Sequence, residues 1–69
     1  MVFRIDSEPA EATVIIDGKR RGVTPLRIAL RLGTHRIELE REGYDTVRAV
    51  VEGTPGQDNH LRLQLERSR

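Results

Sequence analysis

The sequence predicts an all-β fold: a single small antiparallel β-sandwich of about seven short strands. Three observations carry that prediction. Apolar residues recur with period two along almost the whole chain, the spacing of strands buried on one face, whereas a helix needs them three and four apart. Turn-forming residues punctuate the alternation at short intervals. The 69 residues include only 3% aromatics, Phe3 and Tyr44, so the core is built from Val, Ile and Leu and belongs to one domain spanning 1–69.

The expected strands fall at about 2–7, 12–17, 19–22, 25–31, 34–41, 44–52 and 58–66. Phe3 and Ile5 open the first. Val14, Ile15 and Ile16 give the second a continuous branched aliphatic run, as in a central strand buried on both faces. Asp17-Gly18 then reads as a two-residue type I′ hairpin turn, leading into the strand that ends near Gly22. Thr24-Pro25 marks the start of the fourth, where the missing N–H does no harm, and Pro9 and Thr54-Pro55-Gly56 mark further turns. Leu26, Ile28 and Leu30 alternate up to Gly33, and His35, Ile37 and Leu39 alternate beyond it. Gly43-Tyr44 separates these from Val47, Ala49 and Val51, and Leu61, Leu63 and Leu65 complete the series.

The segments on either side of Gly33 suggest a hairpin. With Leu32-Gly33 as a two-residue loop, Leu30 faces His35, Ile28 faces Ile37 and Leu26 faces Leu39. Arg27 then meets Glu38 on the opposite face. A three-residue loop with a glycine bulge is the competing arrangement.

Composition excludes several functions. Hydrophobic residues make up 36% and charged residues 33%, a globular balance, and the net charge of +1 calls for no polyanionic partner. No apolar run exceeds three residues, so no helix spans a membrane and no signal-peptide core is present. The absence of cysteine removes disulfides and thiolate metal sites. Having neither tail nor linker, the chain reads as a domain cut from a longer protein.

The search for chemistry finds no catalytic, cofactor-binding or metal-binding residues. Ser7 sits beside a turn it can cap, and a Ser7–His35–Asp6 site is opposed by the opposite facing of adjacent strand residues. His35 and His60 lack further ligands at a familiar spacing, which leaves His35 as a half-buried, hydrogen-bonded residue and His60 as an exposed one. Glu38, Glu40 and Glu42 form a solvated ladder that Arg27, Arg36 and Arg41 neutralise. Lys19, Arg20 and Arg21 concentrate charge just after the Asp17-Gly18 turn and are the candidate partner surface. Too few rings accompany them for base stacking, which disfavours nucleic acid.

From Ile5-Asp6-Ser7-Glu8-Pro9 through Ala12-Thr13-Val14-Ile15-Ile16-Asp17-Gly18, the chain resembles a PEGA domain, a small β-sandwich module of prealbumin-like type. The resemblance continues through Gly22-Val23-Thr24-Pro25, Leu32-Gly33-Thr34-His35-Arg36-Ile37 and Gly43-Tyr44 to Leu61, Leu63 and Leu65. It departs at Pro9-Ala10-Glu11-Ala12, where Glu11 stands in place of the family's glycine. If that position needs positive φ, Glu11 is strained; otherwise the turn differs. The resemblance implies an accessory module without catalytic site or cofactor, of the kind found in envelope proteins and attached to bacterial serine/threonine kinases. The expected function is thus a non-catalytic interaction or spacer module of a larger bacterial protein. Its partner would be a protein or envelope component, its location extracytoplasmic or in the envelope, and its isolated state monomeric. The alternative is polyanion or nucleic-acid binding through the Lys19-Arg20-Arg21 hairpin.

Overall fold

The computed structural model describes residues 1–53 and 58–68, except for the side chain of Asp58. The expected turn at Thr54-Pro55-Gly56 lies outside the described residues. Seven strands follow in chain order: β1 Val2–Glu8, β2 Thr13–Ile16, β3 Lys19–Val23, β4 Leu26–Ala29, β5 Thr34–Glu40, β6 Val47–Glu52 and β7 Asp58–Gln64. They form a three-stranded sheet in the order β4-β1-β7 and a four-stranded sheet in the order β3-β2-β5-β6.

Alternation decides which residues lie between the sheets. Phe3 and Ile5 of β1, Val14 and Ile16 of β2, and Ile37 and Leu39 of β5 point inward and are buried, joined by Ala12, Leu30 and Leu65. Arg4 of β1 and Arg20 of β3 are exposed, and Glu38 of β5 is half-buried. Burying such aliphatic side chains contributes about 1.5–3 kcal/mol each. A small core of this kind leaves the domain only about 3–5 kcal/mol of net stability.

Two expectations about pairing need correction. The sandwich is not wholly antiparallel, because β1 and β7 run parallel from Val2↔Asp58 to Glu8↔Gln64. Parallel neighbours need a long crossover, and here the rest of the chain supplies it. Nor do β4 and β5 form a hairpin. β4 lies antiparallel to β1, setting Leu26 against Ile5 and Ile28 against Phe3, while β5 pairs with β2 and β6. Arg31–Gly33 carries the chain from one sheet to the other, so Arg27 is opposite Arg4 and Glu38 is opposite Arg48. Pairing with β1 matches the same apolar positions, without bringing both halves of the alternation into one sheet.

The β2–β3 turn is the expected two-residue connection, with Ile16 paired to Lys19 and positive φ at both Asp17 (51°) and Gly18 (85°). Glu11 also adopts positive φ, 66°. Its N–H donates to Thr24 O at 2.9 Å, and Arg41 Nη1 donates to Ala10 O at 2.9 Å and Glu11 O at 3.4 Å. The turn thus holds a side chain in a conformation costing about 1–2 kcal/mol. A contrasting pair of substitutions follows. Glu11→Gly is expected to stabilise the domain by up to about 1 kcal/mol once the extra backbone entropy of glycine is counted. Gly18→Val, whose new Cβ meets nothing within 4 Å, is expected to cost about 1–3 kcal/mol through backbone strain alone. Urea titration of both variants checks the signs; equal shifts would refute the assignment of these turns.

Candidate functional site

The β2–β3 hairpin is braced against the corner between the sheets by one carboxylate and one imidazole. Asp17 Oδ1 accepts the Arg36 N–H at 3.0 Å, and its own N–H donates to Arg36 O at 2.8 Å. Asp17 Oδ2 lies 2.6 Å from His35 Nδ1, and His35 Nε2 lies 2.7 Å from Arg31 O. A carbonyl can only accept, and an ionised carboxylate likewise, so the two bonds are made together only when both ring nitrogens carry hydrogens, in the imidazolium form.

The electrostatics agree with that geometry. The Arg31 carbonyl, and after it the Asp17 carboxylate, raise the His35 pKa above its ordinary value. The Arg36 N–H, and after it His35, hold the Asp17 pKa below the usual carboxylate value. The His35 contribution to stability is therefore complete below its unfolded pKa of about 6.5 and fades as pH rises through the higher folded value. The Asp17 contribution is complete above its unfolded pKa and fades as pH falls through the lower folded value. The melting temperature of the domain is expected to decline from pH 6 towards pH 8, and His35→Gln should flatten that slope. An unchanged slope in the variant would refute the clamp.

The braced loops enclose a cleft of about 350 Å³. Ile16, Ala29 and Leu30 supply its apolar lining, Lys19, Arg21 and Arg31 its cations, and Asp17 and His35 complete it. The cluster Lys19, Arg20 and Arg21 does not share one surface. Arg20 is paired with Ile15, Gly22 is paired with Val14, and the register shift between them makes Arg21 an extra residue in β3. Lys19 and Arg21 line the cleft, and Arg20 does not. Arg31, which sequence reasoning passed over, joins these cations because the corner at Gly33 (φ 119°) folds back beside the hairpin.

The other turn residues serve the frame. Thr24, 1% exposed, joins the turn after Pro9 to the β3–β4 connection. Its hydroxyl oxygen accepts the Ala12 N–H at 2.9 Å and lies 2.6 Å from Ser7 Oγ, while Ser7 donates to Pro9 O at 2.7 Å. Pro25 follows at the start of β4, and Thr24 N–H donates to Ala12 O at 2.8 Å. Gly43 and Tyr44 meet the C-terminal segment: Ser68 N–H donates to Gly43 O at 2.9 Å, and Tyr44 bridges Arg67. The Tyr44 ring packs against the core with the Arg41 guanidinium 5.9 Å from its centre.

Ser7, His35 and Asp6 do not meet. Ser7 bonds Thr24, His35 bonds Asp17, and Asp6 lies 2.6 Å from His60 and 3.4 Å from Arg4. Arg48, rather than Arg27, stands nearest Glu38, at 3.9 Å. Among the described residues, no group of three or more His, Asp or Glu side chains converges on a point where a metal ion could sit. There is no helix among the described residues long and apolar enough to cross a membrane.

Comparison with curated proteins gives no match. The family model of the PEGA domain matches residues 1–69. The family is one of small accessory modules of non-catalytic type, generally associated with extracytoplasmic proteins. With its two-sheet all-β architecture and a match along its whole length, the chain belongs to the PEGA domain family.

Proposed function

We propose that this domain is a non-catalytic interaction module of a larger bacterial protein, one that resides in the envelope or carries a serine/threonine kinase. One observation carries the reading. Lys19, Arg20, Arg21 and Arg31 make no ion pair among the described residues, yet the loops that present them are fixed by His35 and Asp17. Surface cations add little to folding, so their concentration on a rigid hairpin supports a role outside the fold. The polyanion reading rests on the same residues but has less support, since no Phe, Tyr or Trp ring lines the cleft for base stacking.

The spacer reading draws on shape, since the domain measures 40 × 19 × 16 Å. Exchanging it within its parent protein for an unrelated β-sandwich of equal length separates the two. An interaction module loses the parent's function on exchange, and a spacer keeps it. Full function after exchange would overturn the proposal.

A further inference from the structure

We propose that the cleft between the β2–β3 hairpin and the Arg31 corner takes an acidic protein segment: a Glu or Asp carboxylate with an apolar side chain next to it. The proposal rests on the interaction reading above and gives the partner its chemistry.

The charge balance of the cleft is the first argument. Its one carboxylate, Asp17, has both oxygens engaged, Oδ1 by the Arg36 N–H and Oδ2 by His35. It therefore leaves Lys19, Arg21 and Arg31 without a counter-charge, and no other ion pair among the described residues supplies one. When protonated, His35 has both its N–H groups already spent and its charge balanced by Asp17. A ligand thus meets free donors and a net positive charge on Lys19, Arg21 and Arg31.

The apolar lining is the second argument. Ile16, Ala29 and Leu30 line the cleft with the cations, Ala29 exposed and the other two at 2% and 9% exposure. A bare anion would leave the exposed Ala29 and the edge of Leu30 in water, whereas a carboxylate beside an apolar side chain covers both the cations and this lining. The volume, about 350 Å³, lies at the small end of ligand sites and suits a short segment.

The extra residue in β3 is the third argument. Bulges re-aim side chains, and Arg21, inserted between the pairs Ile15↔Arg20 and Val14↔Gly22, lines the cleft with Lys19. A lysine on an edge strand would by itself deter aggregation, but that role needs no Arg31 lining the same cleft.

The test is a titration of the isotope-labelled domain with two capped peptides, Glu-Leu-Glu-Leu and Gln-Leu-Gln-Leu, followed by NMR at fixed ionic strength. The acidic peptide is expected to shift resonances of Lys19, Arg21 and Arg31 saturably, and the amide peptide to bind about tenfold more weakly or less. Lys19→Glu combined with Arg21→Glu is expected to weaken binding by at least about tenfold, as is Arg31→Glu. Arg62→Gln, on β7, should bind as the unmodified domain does. Thermal melting of each variant confirms that the fold is kept. Equal binding of the two peptides would overturn the proposal, as would binding untouched by Arg31→Glu. So would inorganic phosphate, phosphatidylglycerol vesicles or an oligothymidylate binding as tightly as the acidic peptide. A domain that ignores every peptide defeats this proposal alone, since the interaction reading is decided by exchange within the parent protein.

Discussion

Ile37→Ala is expected to leave the domain largely unfolded at 25 °C. Ile37 is fully buried on β5, between Ile16 of β2 and Ala49 of β6. Removing its outer carbons forfeits their transfer energy and opens a cavity that neighbouring strands cannot close without giving up their pairing. Such truncations cost about 2–5 kcal/mol, and a domain of this size has about 3–5 to lose. Val50→Ala, on the exposed face of the same sheet with 68% of the residue accessible, should stay within about 0.5 kcal/mol of the parent. Equilibrium denaturation followed by circular dichroism compares the two. A cooperative, parent-like transition for Ile37→Ala would contradict the assignment of the core.

Thr24→Val should cost about 1–3 kcal/mol despite its nearly unchanged shape. The hydrogens around Thr24 can be assigned one by one. Ser7 gives its hydroxyl hydrogen to Pro9 O, so Thr24 must donate to Ser7, which frees the Thr24 oxygen to accept from Ala12 N–H. Valine breaks this relay at its centre and strands the N–H of a fully buried residue, Ala12. Thr24→Ser retains the relay and should lose much less. A harmless valine beside a damaging serine would show that the methyl group rather than the hydroxyl is the stabilising part.

Period two in the sequence identifies a strand and its inward face. That is why Phe3, Ile5, Ile37 and Leu39 could be placed in the core from their spacing alone. It does not identify the neighbour, because any apolar alternation matches any other. Leu26 and Ile28 could have paired with Leu39 and Ile37 but lie against Ile5 and Phe3 instead. The parallel β1–β7 pair was hidden for the same reason, having no turn between its strands to announce it. The turn at Asp17-Gly18 was legible because backbone sterics at positive φ leave few residue choices. Thr24 was legible as a turn position before Pro25, but its hydroxyl relay was not, nor was Arg31, an exposed cation at a corner; these roles arise only when distant segments meet. Lys19 and Arg21 were visible as charge, and strand alternation alone sets Arg20 on the other face, but the extra residue at Arg21 is a register shift that composition does not record.

The parallel pairing of the first and last strands has a mechanical consequence. β1 begins beside the start of β7, and both run the same way, so the chain enters at one end of this pair and leaves at the other. Tension applied through the two ends pulls β1 and β7 in opposite directions along their length. Their hydrogen bonds are then loaded in shear, all together, rather than peeled one at a time. Failure under load is governed by the rate of unfolding rather than by equilibrium stability, so a domain of modest stability can still resist stretching. Single-molecule extension through the ends should therefore require more force than extension between Gly18 and Gly33, where β2 peels from its neighbours in sequence. Equal rupture forces in the two geometries would show that the β1–β7 pair bears no special load.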